Sequence, residues 1–359
     1  MSESNDRGIL LMNLGSPDST RVSDVRKYLN EFLMDERVID VPYLWRLLLV
    51  KGIITPFRAP RSAEAYRSIW TDKGSPLIEL TKQLQSALQQ LISEPVEIAM
   101  RYGSPGPKKG FDRLNQRMPS LKEVILVPLY PHYAMSSYET AVEYAKKIHA
   151  EQKYPFKLSV VEPFYDNRQY IDALVESIRP HLHQEYDHFL FSYHGIPERH
   201  VQKTDVTGQH CLRSIDCCTS DSPAHAYCYR HQIIKTTRLV AEKLNLPKEK
   251  YSYSFQSRLG RDEWLKPYTA VRLEQMPSEG IKRLLIVCPA FVSDCLETLE
   301  EIAIEGKESF LQSGGESFTF IPCMNVNKTW VEGLKTMINQ GERTKNQEPR
   351  SKNQIKKNK

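Results

Sequence analysis

Two short stretches carry residues fit for chemistry: LFSYHGIPERH around His194, and SDCLETLEEIAIE from Ser293 to Glu305. His194 ends an apolar run, Phe189 to Tyr193, and meets Gly195 and Pro197. The glycine and proline confine the turn, so the imidazole is expected at the mouth of a strand. An imidazole titrates near neutral pH, which suits proton transfer or metal contact. Glu198, Arg199 and His200 are expected in salt bridges or at the rim.

In the second stretch Asp294, Glu297, Glu301 and Glu305 are spaced three, four and four apart. On an α-helix that spacing puts them on one face, with Glu300 and Glu308 off the line. Like charges in such a row repel, and a cation relieves the repulsion. A row of hard oxygen donors is a path for a divalent metal; the bland alternative is a solvated charged face. No GxSxG, HExxH or Walker lysine motif is present, and no GxGxxG, so hydrolysis and a nucleotide cofactor are not indicated.

Four of the seven cysteines, Cys211, Cys217, Cys218 and Cys228, crowd 18 residues, with His210, His225 and His231 beside them. Such a group could hold zinc or an iron–sulfur cluster, or be free thiols; its C-x5-CC-x9-C spacing matches no common zinc or ferredoxin pattern. Aromatic and cationic residues gather near strand ends: Tyr102, Tyr130, Tyr133, Tyr193, Phe255 and Trp264, with Arg67, Arg101 and Arg258. They would suit a large aromatic, anionic ligand, or simply cap the sheets.

The elements that must position these groups are legible. Apolar runs at Gly8–Leu14, Val96–Tyr102, Glu123–Tyr130 and Lys157–Val161 form one series, and His188–Tyr193, Tyr251–Phe255, Arg283–Val287 and Phe318–Ile321 a second. Helical patterns lie between them at Pro76–Leu91, Ser137–Glu151, Gln169–Leu182 and Thr236–Leu244. This alternation predicts an α/β chain with two open parallel sheets covered by helices. We place the domains at 1–170 and 171–335, with a Cys-rich insertion at 205–230 and a disordered basic tail at 336–359. Residues 341–359 hold seven Lys or Arg against two acidic residues, leaving 42 basic and 42 acidic elsewhere. Nothing in that balance points to nucleic acid. The N-terminus lacks a basic leader, and no run reaches the roughly 18 to 20 apolar residues of a spanning helix; a cytoplasmic address is expected. One apolar segment, 38–61, reads either as core or as a lip for a flat ligand or a membrane surface.

At this point the chain resembles the ferrochelatases over about residues 8–335. LMNLGSPD, YRSIW with GSPL, MRYGSP, YPHYAMSS, FSYHGIPERH, SFQSRLGRDEWLKP and VCPAFVSDCLETLEEI carry the resemblance. It implies two similar four-stranded parallel sheets flanked by helices, with the porphyrin in a cleft between domains. It also implies insertion of Fe2+ into protoporphyrin IX to give protoheme with release of two protons. His194 stands at the family's active-site histidine and Glu297 at the glutamate opposite; both are catalytic and metal-contacting candidates. Asp294, Glu301 and Glu305 match the acidic series leading from Glu297. Arg101 and Tyr102 match an arginine–tyrosine pair in the cleft, and Gln256, Ser257, Arg258 and Trp264 a strand-end motif; with Tyr130 these are the substrate-binding candidates. Cys295 stands where many relatives carry a histidine, which offers a softer contact on the metal route. Some members bind a [2Fe-2S] cluster, and Cys211, Cys217, Cys218 and Cys228 resemble the type with an internal ligand segment. The rival readings are a chelatase for coproporphyrin III, or for Co2+ or Ni2+, and a non-catalytic tetrapyrrole binder. A monomer or homodimer is expected, with peripheral contact at the inner membrane through residues 43–57.

Overall fold

The computed structural model describes residues 6–258, 260 and 262–340. Eight strands form two parallel sheets of identical order. The first holds β1 (Arg7–Ser16), β2 (Val96–Gly103), β3 (Glu123–Pro128) and β4 (Lys157–Val160), in the order β2-β1-β3-β4. The second holds β5 (His188–His194), β6 (Tyr251–Gln256), β7 (Arg283–Val287) and β8 (Ser317–Ile321), in the order β6-β5-β7-β8. Helices cover both faces, which is why the central strands read as unbroken apolar runs: Ile9 to Met12, and Phe189 to Phe191, are fully buried. All eight expected strands are present within a residue or two.

This strand order reverses direction between β1 and β3, and again between β5 and β7. Open α/β sheets bind ligands at such switch points, beyond the carboxyl ends of the strands. His194 ends β5, and the acidic segment follows β7. The two stretches that stood out by composition therefore flank one switch point.

The helix Arg168–Ile178 straddles the expected division at 170/171. One continuous apolar core includes Leu11 and Met100 of the first sheet, Phe191 and Leu285 of the second, and Trp330 between. The helix Lys328–Gln340 buries Met337 and Ile338. Ordered helix thus runs through part of the expected tail, because its apolar face still finds this core; the basic residues 341–359 lie outside the described residues.

The segment 43–57 is largely an exposed apolar lip, with Val50 turned inward. A short helix (Tyr43–Leu47), a π-helix (Leu48–Ile54) and the helix Thr55–Ile69 follow one another. Trp45 is 69% exposed and Phe57 80%, with Tyr43, Leu44, Leu48 and Ile53 also outward. Beneath it lies a separate small core of Val25, Leu29, Leu33, Val50, Ala59, Ala63 and Tyr66. Arg46 is buried under the lip and donates from Nη1 to the carbonyls of Ile39 (3.0 Å) and Val41 (3.2 Å). Among the described residues no helix is long and apolar enough to cross a membrane.

Candidate active site

The site is built on one peptide group. His194 pairs with Gln256 across β5 and β6. The Gly195 N–H donates to the Gln256 carbonyl at 2.7 Å, and the Tyr229 hydroxyl donates to the His194 carbonyl at 2.8 Å. Both polar atoms of the 194–195 peptide are therefore held. A side chain at Gly195 would meet the Gln256 carbonyl at 2.8 Å and Trp264 at 3.2 Å, so the close approach requires glycine. The half-buried imidazole lies 2.7 Å, through Nδ1, from the Gly195 carbonyl. A carbonyl only accepts, so Nδ1 carries a proton, and in the neutral imidazole Nε2 keeps its lone pair.

The acidic segment departs from a straight α-helix. A short helix, Leu296–Leu299, gives way to a π-helix, Glu301–Gly306. Its signature is the Glu305 N–H donating to the Glu300 carbonyl, 2.9 Å away and five residues back. The register shift brings Glu300 into the row beside Glu301 and Glu305. Burial, then Glu305 and Glu301, push the Glu300 carboxyl up to about 7. Glu301 is also raised, by burial foremost; Ser257 and His194 pull it down while Glu297 pushes it up. Glu301 accepts from the Ser257 N–H (2.7 Å) and hydroxyl, and from Gln256 Nε2 at 3.4 Å. Gln256 Nε2 also donates to the Glu297 carbonyl at 2.7 Å. His194, Glu297 and Glu301 thus share one electrostatic environment, fastened to the end of β6. Glu305 is exposed, 3.9 Å from Arg61.

Asp294 leaves the expected row. Its Oδ1 accepts from Thr298 Oγ1 (3.0 Å) and the Cys323 N–H (3.2 Å), and its Oδ2 from Asn325 Nδ2 (2.7 Å). It closes the turn before the helix because its oxygens are consumed there. Cys295 is the N-cap residue, with its N–H on Thr298 Oγ1 at 3.0 Å. Burial, then Glu297, hold its thiol well above the usual range.

Glu297 lines a small pocket with Leu14, Ser16, Tyr28, Tyr66 and Ile69, so both halves of the chain contribute walls. Arg101 and Tyr102 do not. Arg101 pairs with Asp35 and donates to Thr140 Oγ1 at 2.7 Å, and its guanidinium stacks on Tyr102 (4.2 Å) and Tyr144 (4.3 Å). The fully buried Tyr102 donates to the same Asp35 at 2.9 Å. The pair braces the first domain because a buried carboxylate needs its partners. Gln256 and Ser257 are occupied by the acidic segment, and Trp264 packs on Gly195. Tyr130 is buried, with a hydroxyl that has no partner among the described residues. Arg258 stays exposed, 5.0 Å above the Tyr268 ring. Glu300, Tyr229, Tyr28 and Tyr66 were not expected from sequence. Gly306, whose absent side chain admits the Glu301 carbonyl at 3.2 Å, is the one sequence signal of the π-turn.

The four clustered thiols, Cys211, Cys217, Cys218 and Cys228, are all buried. Cys217 and Cys218 place their sulfurs 3.9 Å apart, close to the ~3.8 Å that two ~2.3 Å bonds to one tetrahedral metal would set. Cys228 touches both Cys218 and Cys211; Cys218 foremost pulls its thiol down, while burial and Cys228 push the thiol of Cys211 up, and Cys228 and burial that of Cys218. Arg230 approaches Cys217 Sγ at 3.7 Å. Asp205 organises the loop by accepting from the N–H groups of Cys211 (2.8 Å) and His210 (2.7 Å). Among the described residues no group of three or more His, Cys, Asp and Glu is arranged round a single metal ion.

Two sheets of the same order, with a histidine at one strand end and a carboxylate row at its neighbour, define a chelatase-like protein. The solved structure of SirB from Bacillus subtilis with Fe3+ shares this fold, with a TM-score of 0.53 at 11% identity, covering 94% of this chain and 98% of that one. The family model described as Ferrochelatase matches residues 6–342. Ferrochelatases of Pseudomonas fluorescens Pf0-1 and Pseudomonas savastanoi pv. phaseolicola are 50% and 49% identical, each over 92% of this chain and 97% of their own. The chain belongs to the ferrochelatase family.

Proposed function

We propose that the protein inserts Fe2+ into protoporphyrin IX, giving protoheme and two protons, with His194 as the proton acceptor. The observation that carries this reading is the imidazole whose Nδ1 is committed to Gly195, which leaves Nε2 as a base. Glu297, in the cavity wall, assists the proton transfer or receives iron from the row Glu305, Glu300 and Glu301. Carboxylates are hard donors that replace water around Fe2+ without binding it as tightly as a closed site would. Aromatic walls, Tyr28 and Tyr66, suit a flat apolar macrocycle. In anaerobic assays with Fe2+ and protoporphyrin IX the haem spectrum should appear. Absence of product, with turnover of coproporphyrin III instead, overturns the substrate.

Cys211, Cys217, Cys218 and Cys228 are assigned to a [2Fe-2S] cluster. When bound, such a cluster supplies a staple that offsets the ordering of residues 205–230. Anaerobically isolated protein should absorb in the visible range and contain iron and sulfide, and Cys228→Ser should lose both. A colourless preparation free of both, from cells able to make clusters, rejects the assignment. The outward Trp45 and Phe57, with Arg58 and Lys51 between them in sequence or beside them, support peripheral contact with an anionic membrane surface. Flotation with anionic vesicles reads this, and no flotation at low salt excludes it.

A further inference from the structure

We propose that Tyr229 is a positioning residue for His194, setting which imidazole nitrogen faces the substrate. The inference rests on the reading of His194 as the base. Its warrant is the pair of clamps on the 194–195 peptide. Gln256 holds the N–H at 2.7 Å, and only Tyr229 holds the carbonyl, at 2.8 Å, among the described residues. The next carbonyl along, that of Gly195, accepts from His194 Nδ1 at 2.7 Å. If the first peptide turns, the second turns with it, and glycine offers little resistance to such rotation. The Nδ1–H lock would then be lost, and Nε2 would carry the proton in part of the population.

Tyr229 is placed for this task. Its ring is buried and meets His132 edge-on at 6.0 Å, so the hydroxyl has a fixed reach. It opens the helix Tyr229–Leu244, whose N-cap is Cys228, with Cys228 Sγ accepting from the His231 N–H at 3.5 Å. The residue that clamps the base is therefore the immediate neighbour of a clustered thiol. The order of that loop and the orientation of His194 are joined through one hydroxyl.

The test is Tyr229→Phe, which keeps the ring and removes only the donor. Its folding is checked by thermal melting. The readouts are kcat and KM for protoporphyrin IX, and the imidazole nitrogen NMR spectrum of 15N-His-labelled protein without iron or porphyrin. The signal missing from His194→Ala assigns the residue. In the wild type His194 should show the Nδ1–H tautomer. In Tyr229→Phe it should show mixed tautomers, with kcat lowered in proportion to the Nε2–H fraction and KM unchanged. A wild-type His194 spectrum in Tyr229→Phe overturns the proposal, whatever happens to kcat. If His194→Ala itself retains turnover, the base assignment fails instead, and a tautomer change in Tyr229→Phe would still establish the clamp.

Discussion

Replacing His194 with Ala should end haem formation, lowering kcat by about 10²- to 10⁴-fold, the usual contribution of a positioned acid or base. The fold should survive. The side chain is half-buried and its one hydrogen bond among the described residues is to the adjacent residue's carbonyl, so its loss costs about 0.5–1.5 kcal/mol. The backbone clamps from Tyr229 and Gln256 do not involve the imidazole. Initial rates under anaerobic conditions, with a melting curve of the same preparation, separate the two effects. Near-wild-type turnover removes His194 from the mechanism.

The second large effect is Glu297→Gln. The amide keeps the shape of the carboxylate but neither charge nor basicity, and turnover should fall by about 10²-fold or more. Stability should move the other way. Glu297 pushes up Glu301, and adds to the burial that raises the thiol of Cys295 and the hydroxyl of Tyr66. Removing one charge from this crowded row relieves like-charge repulsion, so Tm should hold or rise. An inactive variant with an unchanged or higher Tm is the mark of a group kept for chemistry. An active one would show that the row works without Glu297.

The sheets were legible because strands buried on both faces read as continuous apolar runs. His194 was legible because a strand end followed by glycine and proline is a local signal. The acidic row was legible as composition but not as register. Its spacing assumed 3.6 residues per turn, whereas the π-turn substitutes Glu300 into the row and leaves Asp294 to Thr298, Cys323 and Asn325. Arg101 and Tyr102 show a different limit of the sequence. Their fate depends on Asp35, some 66 residues away in sequence, and no local pattern reports such a partner. Tyr229 was invisible on the same grounds, since its contact with His194 spans the whole Cys-rich insertion.

The cleft's walls and its lip are held by different forces. One apolar core runs through both sheets, so the walls are bound by packing, which salt strengthens if it does anything. The lip has its own small core, on which Leu296 of the other half also packs, and it adds ionic ties across: Asp40 to Arg199 and Lys203, and Arg61 to Glu305. The cations in those pairs are substantially exposed and open to screening. Ionic strength therefore acts on this molecule selectively. It acts on the ionic ties of the lip and leaves the packed frame beneath His194 and the carboxylates as it was.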